Sequence, residues 1–164
     1  MTREELIQNA EAAGVEAILR DDICARSAMV GLKTAFPEIP EDMVTACLSL
    51  AGGTGSASGS CGAYCAGLLA VGLKFNSTIP EELADPAHEK RGMQQFMEYR
   101  DRFLAHWGTV LCPKIHAQLF GKEYNLVDEH DHTEFLSMPG HQDKCAQVVA
   151  SAIRMACDMI LPEE

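Results

Sequence analysis

The sequence predicts an all-α fold: a single-domain helical bundle of about six to seven helices, with a glycine-rich loop ahead of its central helix. Three observations predict it. Apolar residues recur at helical spacing in nearly every segment, and cap and turn signals separate those segments. A length of 164 residues suits one domain, residues 1–164, that buries roughly two-thirds of its unfolded surface without disulfides.

Residues 3–20 place Leu6, Ala10, Ala13, Ala17 and Ile18 on one side, with Glu4, Glu5, Glu11 and Glu16 largely opposite, which reads as a peripheral N-terminal helix over residues 1–20. Asp21 and Asp22 are candidate caps for the next helix. Its stripe is Cys24, Ala28, Gly31, Leu32 and Ala35, and it ends before Pro37. Met43, Ala46, Cys47 and Leu50 make a third stripe, in which packing explains Cys47. This stripe runs into the stretch AGGTGSASGSCGAYCAGLLAVG, residues 51–72.

The first half of that stretch holds Gly52, Gly53, Gly55 and Gly59 among small hydroxylated residues, a composition that lets backbone approach something closely. The second half reads as a buried helix with Ser60 as N-cap and Cys61, Cys65, Leu68, Leu69 and Gly72 on one face. A thiol at the positive end of a helix suits a thiolate or an anionic thiolate-bound cofactor. Asn76 to Pro80 is a turn. Asp85 and Pro86 then open a long helix with the stripe Met93, Phe96, Met97, Arg100, Phe103, Leu104 and Trp107. Arg100 on that face either snorkels its charge to water or offsets negative charge held inside the bundle.

Gly108 closes the long helix, and the next starts at Cys112 and Pro113 with Cys112, Ile115, His116 and Leu119 facing one way. Residues 121–140 are polar and aperiodic and read as a loop of about 20 residues, in which His130 and His132 lie among acidic neighbours on a solvated surface. The last helix carries Cys145, Val149, Ala152, Ile153, Ala156 and Ile160 on one stripe. Cys157 falls off that stripe and reads as a bystander.

Composition excludes several functions. With 13 Lys plus Arg against 24 Asp plus Glu, the net charge of −11 repels nucleic acid and anionic membranes. The amino terminus has no apolar h-region and no stretch reaches bilayer length, so the expectation is a cytoplasmic chain without membrane insertion. Seven cysteines, an odd number, in a reducing compartment argue for metal ligation or redox chemistry over a disulfide framework. The glycine stretch lacks the G-x-x-x-x-G-K-[ST] pattern of a phosphate loop. His106 and His116 have no nucleophile in a strand-turn-helix setting, so a hydrolytic enzyme is not indicated.

Cys24, Cys61, Cys112 and Cys145 each stand at or within the first turn or so of a predicted helix and lead its buried face. If those starts meet at one depth, four thiols share a site ringed by positive helix ends and backbone donors, which suits an iron–sulfur cluster. Two other chemistries fit the sequence. Cys61 and Cys65, one helical turn apart, can pair an attacking thiol with a resolving partner and need no cofactor. Cys112, His116, His141 and Cys145 set Cys and His one turn apart twice, which offers a structural or regulatory zinc site.

At these residues the chain resembles the C-GCAxxG-C-C family of redox-active proteins. The likeness rests on Cys24 in ICARSAMVGL, on AGGTGSASGSCGAYCAGLLAVGLK, on Cys112 in CPKIHAQLFG and on Cys145 in KCAQVVASAI, and covers about residues 20–160. Cys65 departs from the usual central motif, and Cys47 and Cys157 look peculiar to this chain. The resemblance implies a small helical redox protein whose four shared cysteines hold an iron–sulfur centre or cycle as thiols. A similar module in split-Soret cytochromes lies beside a haem, but no C-x-x-C-H haem-attachment motif occurs here. An electron-transfer or redox-sensing role implies a redox partner protein that no motif identifies. The small-residue, helix-rich character is compatible with a homodimer.

Overall fold

A computed structural model describes residues 1–163. The helices are α1 (Arg3–Asp21), α2 (Cys24–Ala35), α3 (Glu41–Ala46), α4 (Gly62–Phe75), α5 (Ile79–Ala84), α6 (Ala87–Trp107), α7 (Cys112–Phe120), α8 (Glu129–Ser137) and α9 (His141–Ile160), with a 3₁₀ turn at Cys47–Leu50. Among the described residues the only strand-like pairing is an isolated antiparallel bridge between Ser60 and Leu111. The all-α single domain is as the sequence predicts. Among the described residues no helix is long and apolar enough to cross a membrane.

Helices α2, α4 and α9 pack on one another at the centre, α1 covers α2 and α9, and α6 covers α4. The α1 start is fixed by a capping box: the Thr2 hydroxyl accepts from the Glu5 N–H and the Glu5 carboxylate accepts from the Thr2 N–H. On α1 the buried residues are Ile7, Ala10, Gly14, Ala17 and Ile18. Arg154 of α9 grips this helix from outside, bonding Glu11 at 2.7 Å and Glu4 at 3.0 Å.

Several local expectations are corrected. Asp22 does not cap α2. It ends α1 in the left-handed conformation (φ 56°), and Ile23 is the α2 N-cap. The N-cap of α4 is Cys61, one residue beyond the expected Ser60, because Ser60 is taken by the bridge to Leu111. Leu69 turns outward while Ala63, Tyr64, Ala66, Gly67, Ala70 and Val71 are buried. On α6 the buried residues are Gly92, Tyr99 and Phe103, and Arg100 points to solvent beside Asp101. Tyr64 selects that face: its ring stacks on Tyr99 at 5.6 Å and meets Phe103 at 5.0 Å. Within the expected turn at 76–80 begins the short helix α5, held by a second capping box of Thr78 and Glu81.

The largest correction concerns residues 121–140, expected as a loop. They contain α8, whose start is capped by the Asp128 carboxylate accepting from the Asp131 N–H at 2.9 Å. Only Phe135 of that helix is buried, so the segment lacks the repeated apolar spacing by which helices announce themselves. Phe135 joins Cys112, Tyr124 and Leu126 in a small second core over one end of the bundle.

Candidate functional site

That end of the bundle is where four helix starts meet. Cys24 and Cys112 are the first residues of α2 and α7, Cys61 caps α4, and Cys145 lies in the second turn of α9. All four line one cavity of about 130 Å³, together with Asp22, Gly52, Ser56, His116, His132 and Phe135. A space of that size admits a group of several heavy atoms. Cys47, Cys65 and Cys157 are not in its wall; Cys47 and Cys157 are 0% and 1% exposed in the apolar core, the latter because α9 is packed on more than one side.

The glycine-rich segment forms one side of the cavity by abandoning regular structure. Gly52, Gly53 and Gly55 adopt φ of 65°, 79° and 78°, and Thr54, Ser56 and Ser58 also have positive φ. The turn is closed by Ser56 N–H to Ala51 C=O at 2.9 Å and Gly59 N–H to Gly53 C=O at 2.8 Å. Two further bonds zip it to the start of α7: Cys61 N–H to Val110 C=O at 2.7 Å, and Cys112 N–H to Gly59 C=O at 2.8 Å. This backbone pairing brings Cys61 and Cys112 side by side. Ser58 ties the same loop to the second core, its hydroxyl bonding Tyr124 C=O at 3.3 Å and accepting Leu126 N–H at 2.7 Å.

Backbone amides then converge on sulfur. The Cys24 thiol faces the N–H groups of Gly52, Ala25, Gly62 and Ala63, and the Cys61 thiol faces those of Tyr64 and Ala63. These are the unpaired amides of a helix start plus one from the left-handed loop, an arrangement that favours anionic sulfur. Gly62 is required for it: a Cβ there would stand 2.8 Å from the Cys24 sulfur.

Burial works the other way. It raises every thiol of the cavity, Cys61 to about 12, and the neighbouring sulfurs raise Cys112 and Cys145 further. Cys65 is likewise pushed up to about 11, first by burial and then by Cys24 and Cys47. The helix-start position predicts a stabilised thiolate at Cys61, but in the folded chain desolvation outweighs the amide donors. The cavity thus crowds four sulfurs, aims amides at two of them and penalises free thiolates at all four, a balance that a bound cation would reverse.

The histidines divide. His116 is 4% exposed, with Nε2 at 3.5 Å from the Cys112 sulfur and Nδ1 buried without a partner. Burial, then His141, lowers its pKa to about 4. His141 has both ring nitrogens engaged, Nε2 with the Asp22 carboxylate at 2.6 Å and Nδ1 with Met138 C=O at 2.9 Å. The pair draws the α1–α2 corner onto the start of α9, two residues from Cys24 and four from Cys145. Among the described residues, the trio of Cys, His, Asp or Glu donor atoms found within 4.8 Å of one another is Asp128, His130 and Asp131, on the surface. A single tetrahedral zinc, with bonds of about 2.0–2.3 Å, holds its donors within roughly 4 Å of each other. Among the described residues no three of the cavity's cysteine and histidine donors lie that close together, although the Cys112 sulfur and His116 Nε2 stand 3.5 Å apart.

The sequence placed Cys24, Cys61, Cys112 and Cys145 at helix starts and set His116 one turn from Cys112; it did not reveal the Asp22–His141 pair, the aromatic second core or the unpartnered Nδ1 of His116. The signal for the second core was present as Tyr124, Leu126, Phe135 and Met138 inside the polar segment. The model of a family described as "Putative redox-active protein (C_GCAxxG_C_C)" matches residues 23–159. Searches of curated proteins and of solved structures return no significant match.

Proposed function

This chain belongs to the C-GCAxxG-C-C family of redox-active proteins, and on that premise we propose that Cys24, Cys61, Cys112 and Cys145 hold an iron–sulfur cluster used for electron transfer or redox sensing in the cytoplasm. The observation that carries this reading is the arrival of four thiols, from four separate helix starts, in one cavity with amide donors aimed at two of them. When bound, such a cluster supplies a one-electron carrier.

The rest of the work falls to the chain. The amides of Gly52, Ala25, Gly62 and Ala63 offset negative charge at the Cys24 sulfur, and those of Ala63 and Tyr64 do so at Cys61. Phe135, Leu126, Ile18 and Val148 line the remaining wall and exclude water, which strengthens those charge interactions. The Asp22–His141 pair positions Cys24 against Cys145.

The alternatives gain less support. A thiol–disulfide cycle at Cys61 and Cys65 calls for a low-pKa attacking thiol, and burial holds both at about 12 and 11. A zinc site of Cys112, His116, His141 and Cys145 would have to free one His141 nitrogen, from either Asp22 or Met138.

The test is an ultraviolet–visible spectrum of protein purified without oxygen, with iron, acid-labile sulfide and zinc assayed on the same sample. A brown protein that contains iron and sulfide and bleaches with dithionite is the expected result. Colourless protein with stoichiometric zinc, or colourless metal-free protein that resists cluster reconstitution, overturns the reading.

A further inference from the structure

We propose that His116 donates a hydrogen bond from Nε2–H to the Cys112 sulfur when that sulfur is a metal-bound thiolate, and thereby raises the reduction potential of the centre. The inference rests on the cluster reading above. It starts from an oddity of burial. An imidazole that is 4% exposed with an unpartnered Nδ1 carries a desolvation cost that a phenylalanine packed at this place would not. The one polar contact recorded for the ring is Nε2 to the Cys112 sulfur at 3.5 Å, within the reach of an N–H···S bond.

The surroundings hold that contact in place. His116 lies one turn after Cys112 on α7, so both side chains leave the same face of the helix. Its ring stacks on Phe135 at a centroid distance of 4.5 Å and 22°, and the edges of Phe120 and Tyr124 stand at 5.5 and 5.9 Å. A ring held on three sides cannot swing its nitrogen away from the sulfur.

The tautomer follows from the partner. A protonated Cys112 can give its S–H to Nε2, which leaves N–H on Nδ1, buried and unsatisfied. A metal-bound thiolate has no proton to give, so Nε2 carries the hydrogen and Nδ1 is left as a bare lone pair, the cheaper of the two orphans. Cys112 has no backbone donor among the influences on its thiol, in contrast to Cys24 and Cys61. His116 thus supplies by side chain what amides supply at those two sulfurs. A donor to a cluster sulfur favours the reduced, more negative state and raises the potential.

The experiment uses anaerobically prepared holoprotein, wild type, His116→Phe and His116→Gln, in protein-film voltammetry. His116→Phe keeps the aromatic stack and removes the donor. It should lower the reduced-to-oxidised ratio at a fixed applied potential about tenfold, equal to about 59 mV for one electron, and His116→Gln should recover part of it. The second measurement needs no variant: pulsed hyperfine spectroscopy of the reduced wild-type centre carrying ¹⁵N-histidine should show a weak histidine nitrogen coupling. An unchanged potential in His116→Phe, no histidine coupling, or a coupling of direct-ligand strength overturns the inference while leaving the cluster reading intact. Wild-type protein without a cluster removes both.

Discussion

Helix α4 passes through two regions that follow opposite rules. Its first turn opens on the cysteine cavity, where unpaired amides face sulfur and the wall is built from a left-handed loop. Its next turns lie in a core of Tyr64, Tyr99 and Phe103, the last two 0% exposed, where packing dominates even at the expense of a buried, unpartnered Tyr99 hydroxyl. The difference teaches that this chain separates folding from chemistry along a single helix. Stability comes from the aromatic side, and the thiol side is a polar assembly that the fold pays to hold open.

The separation can be broken or sharpened by substitution. Cys61→Ser or Cys112→Ser should abolish cofactor retention, whereas Cys47→Ser and Cys157→Ser, changes in the core, should leave it largely intact; iron and sulfide assays read the result. Equal loss from all four would end the distinction. Phe103→Ala should do the opposite, costing about 3–5 kcal/mol in urea unfolding of the metal-free protein without touching any cavity residue.

A third outcome concerns pH. In metal-free protein the buried His116 has its pKa lowered from 6.5 to about 4. Between those values the unfolded chain binds a proton that the folded chain refuses. Stability should therefore be full above about pH 6.5 and fall as pH drops towards 4, by at most about 3 kcal/mol. His116→Phe should flatten that part of the profile, and an unflattened profile would place the loss elsewhere. The smallest effect is expected at the seam between loop and second core: Ser58→Ala removes two hydrogen bonds and should cost about 1–2 kcal/mol, visible as faster amide exchange at Leu126.

The two regions also differ in how legible they were. The bundle could be read because its signals are local and repeated: the apolar side of α1, the Gly108 stop at φ 72°, and the small-residue stripe of α2. The position of Cys24, Cys61, Cys112 and Cys145 at helix starts was equally visible. Which face of α6 would be buried was not, since Tyr99 wins over Phe96 only through its contact with Tyr64 on another helix. Helix α8 was hidden because one buried residue, Phe135, makes no period. Asp22 was misassigned because an aspartate between two helices can serve either one, and its partner His141 lies 119 residues away. The protonation of the thiols was misjudged for the same reason: a helix start is a local fact, and burial is not.

The four cavity cysteines lie 37, 51 and 33 residues apart along the chain. That spread sets an order of events in time. Ligands in a C-x-x-C pair can seize iron from an unfolded chain, but here each pairing closes a loop whose entropy must be met before any bond to metal repays it. Helices with nearby contacts, such as α1 against α2, form early, and the cavity assembles late, after the chain has brought residue 24 to residue 145. On the cluster reading proposed above, iron would be a passenger taken aboard a finished vessel. The apoprotein should reach its native shape without metal, accept a cluster afterwards, and lose it again without unfolding.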